Sequence, residues 1–453
     1  MCRRTRIWAH VFVVALILFP LACVKEAPAQ DKREDTSEPP ADTQGGDSRS
    51  PPGGAVITGS GIHPQQDLPR PATGVPIVVP IFGGTMVRIT DSKQLGMQGV
   101  FPEYSKRQAW NADESRFLLR NGDGDALLFD AKTRVLDKKL LGIGGDDVFW
   151  HPSEPQTIIY SADHAINRIS TAGGEPTTLL SFPEYAFVST RGEGNLSADG
   201  RRHAVVGQTY NDRTGEVGMA EYLLLDLSNQ TVLARLKPAI KVENFDWISV
   251  SPSGKFVVVD YADDTDERWH GLEVYDENFQ LVWRKPLGAG HSDLAVDTDG
   301  SDVLVMDGYD AETNQTWIRK YRLADGTMTH LLWIAPLFDQ HISCRNLLRP
   351  GWCYISTFDY LERLTDSRES WLPYEDEIFA LRLDGSGTTE RLGHHYSRRY
   401  GPGASDSDLS QYFAEPHATV NRDGTQILFG SNWRQDIKSA DSIDAYVLMP
   451  ARP

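Results

Sequence analysis

The stretch VNRDGTQILFGS, Val420 to Ser431, decides the fold: an apolar start, a polar turn closed by Asp423-Gly424, then a run of β-formers. Asp-Gly supplies the backbone freedom a tight hairpin needs, and the flanking Val, Ile, Leu and Phe suit a buried strand. The same phrase recurs upstream as WNADESRFLLR (Trp110 to Arg120), WHPSEPQTIIY (Trp150 to Tyr160), NLSADGRRHAVVG (Asn195 to Gly207), VSPSGKFVVVDY (Val250 to Tyr261), VDTDGSDVLVMD (Val296 to Asp307) and LLRPGWCYIST (Leu347 to Thr357). After most of them a third strand closes on an acidic turn and a fourth follows, as in YLLLDLSNQTVL (Tyr222 to Leu233) and IFALRLDGSGTTERL (Ile378 to Leu392). Four antiparallel strands repeated every ~40–50 residues predict one propeller blade per repeat.

The two ends show how the ring closes. The seventh unit runs out at DAYVLMP (Asp444 to Pro450) with a third strand and nothing after it, while FGGTMVRITD (Phe82 to Asp91) reads as an orphan fourth strand ahead of the first unit. An N-terminal strand is therefore expected to complete the last blade and remove an exposed edge. The fold class is all-β, a seven-bladed β-propeller over residues 81–453.

Ahead of it, Arg3, Arg4 and Arg6 precede an apolar run from Ile7 to Ala22 that is short for a spanning helix. Residues 1–22 read as an export signal of the lipoprotein type, with Cys23 as the lipidated first residue of the mature chain. Pro20 stands where such signals usually carry Leu, and Ala27-Pro28-Ala29 offers an ordinary secretion site instead. Residues 23–80, rich in Pro, Gly, Ser, Asp and Glu, lack the apolar surface to offset their ordering entropy and read as a tether. The expected location is the periplasm or cell surface, held to a membrane by lipid.

The chain of 453 residues carries 63 acidic and 45 basic side chains, a net charge of −18. Removing Met1 to Ala22 deletes three Arg and no acid, which takes −18 to −21. Such a surface excludes nucleic acid, which calls for a basic footprint, and it repels a polyanion unless a metal inverts the local sign.

Outside the signal region the cysteines are Cys344 and Cys353. In an oxidising compartment they can form a cross-strand disulfide, although a turn centred on Pro350-Gly351 would set Cys344 opposite a residue near Thr357. Two buried thiols are the alternative.

The starts of the innermost strands gather distant residues at one mouth of the channel: Asp147, Glu193, Asp246, His291 with Asp293, His341, and Glu415 with His417. Residues two apart share a strand face, so His291/Asp293 and Glu415/His417 can each present a pair of donors. Nitrogen and oxygen donors suit a divalent ion such as Mn rather than a thiolate metal. A structural role as hydrogen-bonding side chains is the competing reading for most of them.

From Gly83 to Met449 the chain resembles TolB-like and WD-type propellers. The stretch AEPHATVNRDGTQILFGSNW (Ala414 to Trp433) is similar to the last-blade segment of oligogalacturonate lyases, seven-bladed propellers with a manganese site made largely of His. That resemblance implies His417 as one ligand and His341 as another. The family's His-Pro-His reads Glu415-Pro416-His417 here, a carboxylate in place of one imidazole. It also implies an Arg for the uronate carboxylate, for which Arg345 is the candidate, and a base, which the sequence does not identify.

Two stretches exceed what blade loops require: Asp359 to Glu377 and His394 to Phe413. Long loops on rigid scaffolds often carry binding residues, which nominates Arg398, Arg399, Trp371 and Tyr396 for sugar or anion contact. Asn121-Gly-Asp123-Gly-Asp125 alternates oxygen ligands as a calcium loop does, but lacks the required Gly and Glu and reads as a hairpin turn. Trp110, Trp150 and Trp247 read as inter-blade core. No nucleophile elbow, P-loop or HExxH is present. The functional expectation is a binding or interaction module for a cell-envelope protein or an acidic or neutral glycan, with a metal-assisted polysaccharide lyase as the alternative.

Overall fold

Each repeat makes a hairpin because its turn caps itself. In the last blade the Asn421 side-chain oxygen accepts from the Gln426 amide at 2.9 Å, and Asp423 accepts from the Thr425 amide at 2.9 Å. Gly424 completes the turn at φ +76°, where a Cβ would also fall 2.0 Å from the Tyr354 hydroxyl of the neighbouring blade. Ser197 and Asp199 do the same work in the third repeat, accepting from Arg202 and Arg201. The turn motif thus carries a hydrogen-bond program as well as flexibility.

The computed structural model describes residues 56–144, 147–238, 245–261, 268–335, 338–359, 371–398, 409–435 and 442–451. The signal segment, Cys23, the tether as far as residue 55, and Arg399 lie outside them. The strands form seven antiparallel sheets, spanning residues 100–144, 148–181, 187–236, 247–285, 292–333, 338–394 and 419–449. Both faces of a blade meet a neighbour, so the middle strands read as continuous apolar runs. Val257, Val258 and Val259 are all fully buried, as are Leu223, Leu224 and Leu225, each contributing about 1.5–3 kcal/mol of burial. Phe149, Ile159 and Ile166 of the second blade, for example, pack against Val205, Leu223 and Leu225 of the third. Trp110, Trp150 and Trp247 are buried core residues, as expected.

The ring closes as the ends of the sequence require. Thr85–Arg88 pairs with the strand Asp444–Met449, Thr85 opposite Met449 and Arg88 opposite Tyr446. Two further strands lie outside the fourfold pattern. Pro76–Val78 adds a fifth strand to the last blade, and Ile57–Thr58 adds one to the sixth. Residues 56–80 are therefore not all tether: Arg391 donates to the carbonyls of Gly59 and Gly61, and Trp433 donates to that of Leu68. Composition missed this because the segment is held by scattered contacts, backbone carbonyls together with Arg70 on Asp444 and single apolar residues such as Leu68 on the core, which leave no periodic pattern.

Cys344 and Cys353 form a disulfide. Ser343 pairs with Tyr354, so the two cysteines sit directly opposite at the end of that hairpin. The hairpin is centred between Leu348 and Arg349, two residues before Pro350-Gly351, which corrects the expected partner near Thr357. Asn121 and Asp125 bond one another across a hairpin turn, with Lys139 on the Asp125 carboxylate, so that segment is a turn and not a cation loop.

Candidate metal centre at the channel mouth

Two innermost strands are interrupted. In blade one, Val100–Phe101 pairs with Asn121 and Arg120, and pairing resumes only where Trp110 meets Phe117. In blade three, Phe187–Ser189 is separated in the same way from the bridge of Leu196 to His203. The residues between, 102–109 and 190–195, turn into the axial channel. Lys106 forms an ion pair with Glu193, reaches Ser292 Oγ at 3.4 Å and lies 4.4 Å over the Trp247 ring. Arg107 donates to Asp147 Oδ1 at 3.1 Å and to the carbonyls of Gly192 and Gly194. Gln108 donates to the carbonyls of Arg345 and Val420 at 3.1 and 3.3 Å. Loop 102–109 therefore plugs the channel and is gripped by all six other blades.

The plug reassigns most of the expected carboxylate ring. Asp147 also accepts from the Thr190 amide at 2.6 Å, and Glu193 holds Lys106, so both fix the inserted loops. Asp293 takes Arg345 through Nε at 3.0 Å and Nη2 at 2.7 Å, and accepts from the Cys344 amide. Arg345 is thus a buried cation of the wall, held by Asp293 through Nε and Nη2 and by the Leu294 carbonyl through Nη2. Arg398 contributes its backbone to Asn432, accepting and donating there. Tyr396 stacks on Trp433 in the wall, and Trp371 meets His394 edge-on.

What converges is the trio His341, Glu415 and His417, whose ligand atoms all lie within 4.8 Å of one another. His341 comes from the strand Phe338–Ser343 of blade six, and the other two precede the strand Thr419–Val420 of blade seven. His341 Nε2 is 2.9 Å from Glu415 Oε2, His417 Nε2 is 3.8 Å from it, and the two imidazole centroids are 4.1 Å apart. All three side chains are buried. His417 sits at φ +41°, a strained backbone for a non-glycine residue. Burial, then the nearby His341, holds its pKa well below the usual histidine value, and its buried Nδ1 has no hydrogen-bond partner among the described residues. Two imidazoles beside a carboxylate, one buried nitrogen orphaned, fit a divalent ion bound at about 2 Å per ligand.

His291 stands outside the trio but beside it, 4.6 Å from the His341 ring between centroids. Its Nδ1 is 2.7 Å from Asp339 Oδ1. Burial opposes its charge, yet Asp339 overrides this and lifts the pKa to about 10. It is a charged partner of Asp339 rather than one of the convergent donors, which revises its expected place as a ligand. Across the mouth, burial and then Glu193 raise Asp246 to about 7, and burial raises Asp307 to about 6, so two of the mouth's acids shed negative charge near neutrality.

Sequence reasoning missed Tyr104. The plug sets it against His341 and His417, with ring centroids at 5.5 and 5.4 Å. The one available signal was the extra length between Phe101 and Trp110, where the other repeats reach their turn directly.

No family model matches the chain, and no curated protein sequence matches it. Among solved structures it is similar to an oligogalacturonate lyase in complex with manganese, at 15% identity and a TM-score of 0.56, covering 83% of this chain and 96% of that one. It is also similar to oligogalacturonate lyase from Vibrio parahaemolyticus, at 12% identity and a TM-score of 0.59, with the same coverage. At these identities the likeness is one of fold.

Proposed function

We propose that this protein is an exported, lipid-anchored propeller that binds a uronate-bearing glycan of the cell envelope at a divalent-cation centre formed by His341, Glu415 and His417. The convergence of those three donors carries the reading. A bound ion of Mn type would bring two positive charges against the single carboxylate of Glu415, a net charge able to pair with a sugar carboxylate. This chain's own residues supply the rest. His417 offers a neutral nitrogen because burial disfavours its imidazolium, and His341 adds a second imidazole. The raised pKa values of Asp246 and Asp307 lower the repulsion an acidic ligand would meet. Loop 102–109 fills the channel below the trio, so a ligand enters from the mouth.

We favour binding without turnover because, among the described residues, Lys106, Arg107 and Arg345 are each engaged by a carboxylate of the wall. Metal-assisted β-elimination is the second reading, supported by the likeness of fold to an oligogalacturonate lyase in complex with manganese. His291, held charged on Asp339 beside His341, would there pair with the sugar carboxylate rather than take the proton α to it. Metal analysis of the purified chain, with digalacturonate binding by calorimetry and ultraviolet absorbance of the product, separates the readings. Mn uptake with binding and no unsaturated product supports the first; an unsaturated product supports the second; neither uptake nor binding ends both.

Export and anchoring rest on Arg3 to Cys23, and the Cys344–Cys353 disulfide suits an oxidising compartment. The mass of the mature N-terminus tests this: a modified Cys23 supports lipidation, and a start at Gln30 removes it.

A further inference from the structure

Of the plug's central residues, Tyr104 differs from those that follow it. Ser105, Lys106 and Arg107 are buried and bound into the wall, whereas Tyr104 remains partly exposed. Its position is fixed from behind by Lys106 on Glu193, Arg107 on Asp147, Gln108 on two carbonyls, the Asn195 side-chain amide on the Lys106 carbonyl, and Thr419 on the Arg107 carbonyl. A half-buried tyrosine held still beside the three donors is what a pyranose needs: a flat apolar surface for its C–H face and a site for its carboxylate. The anchoring also means that little side-chain freedom remains to be lost on binding.

We propose that Tyr104 is the specificity-determining residue of this mouth, the surface on which the sugar ring of a uronate rests while its carboxylate faces His341, Glu415 and His417. This rests on the glycan-binding reading above and adds the element that selects a ring-shaped carboxylate over a simple one. Acetate and digalacturonate present the same charged group, so the donors alone cannot tell them apart. Tyr104 can, because a ring-sized apolar face is present only in the sugar.

The test uses the full chain loaded with Mn²⁺, with digalacturonate and acetate as probes and three variants: Tyr104→Phe, Tyr104→Leu and Tyr104→Ala. The expected result is Mn²⁺ affinity within about twofold of the parent in all three. Digalacturonate affinity is retained in Tyr104→Phe and falls about five- to tenfold in Tyr104→Leu and Tyr104→Ala, the scale of a lost aromatic contact. Acetate binding stays unchanged. Tyr104→Leu preserves bulk, so a loss there cannot be assigned to a collapsed loop. Equal digalacturonate affinity in the parent and Tyr104→Leu overturns the proposal, as does parallel loss of Mn²⁺ and sugar, which would make Tyr104 a support for the donors. Digalacturonate binding that needs no metal but still depends on Tyr104 sinks the metal reading and leaves this one standing. Mn²⁺ uptake by a parent that binds no digalacturonate does the reverse.

Discussion

The Nε2 of His341 lies 2.9 Å from the Oε2 of Glu415, although 74 residues separate them and they sit in adjacent blades. The contact sets a carboxylate oxygen against both imidazoles, that of His417 kept by burial from carrying charge easily. Glu415→Gln preserves the shape and removes the anionic donor, so Mn²⁺ affinity should fall by at least the roughly 10–100-fold that outer-shell changes alone cost. His417→Ala should do the same. Equilibrium dialysis against Mn²⁺ reads both, and uptake equal to the parent would remove the centre.

Asp293 and Arg345 form a bidentate pair with side chains almost fully buried. Removing one partner leaves a charge uncompensated in the interior. Arg345→Ala is expected to lose about 3–5 kcal/mol of stability, read by urea unfolding, and to keep Mn²⁺ uptake in the protein that remains folded. A variant as stable as the parent but defective in glycan binding would restore Arg345 as a ligand contact.

The Cys344–Cys353 bridge closes a short loop at the end of the strand that carries His341. A loop of that size restrains the unfolded chain by about 3 kcal/mol. The double variant Cys344→Ala with Cys353→Ala should unfold at correspondingly lower urea, and reductant should lower the parent's midpoint but not the variant's. Coincident curves for parent and variant would contradict it.

His203 is fully buried against Phe149, 5.2 Å between ring centroids. Burial, offset only in part by Asp147, brings its pKa down to about 4. The folded state therefore binds a proton less readily than the unfolded state, whose histidine titrates near its ordinary value of about 6.5. Stability is full above pH ~6.5 and declines as pH falls from there toward ~4. His203→Phe keeps the ring and removes the titration, so the decline between pH 7 and 5 should be shallower than in the parent. Unfolding midpoints at the two pH values decide it, and identical slopes would count against the assignment.

Much of this architecture is local and so was legible. The Asp-Gly turn at Asp423-Gly424 states its own hydrogen bonds, and the lone third strand at Asp444 implies the strand at Thr85 that completes it. His341, Glu415 and His417 could be nominated because each stands a fixed distance ahead of a turn. Arg345 was misread for the opposite reason: its partner Asp293 lies in another blade, and a fork-shaped cation looks the same in sequence whether it meets a ligand or a wall.

The sequence by itself determined the seven hairpin repeats, the closing strand and the set of donors near one mouth, since apolar strand runs and turn chemistry are written within a dozen residues. Only the tertiary structure decided what fills the channel. The eight residues between Phe101 and Trp110 carry no periodic signal, and their direction is set by carboxylates and carbonyls from four other blades. That convergence turned a ring of acids into clamps for Lys106 and Arg107, left His341, Glu415 and His417 as the convergent donors, and set Tyr104 beside them.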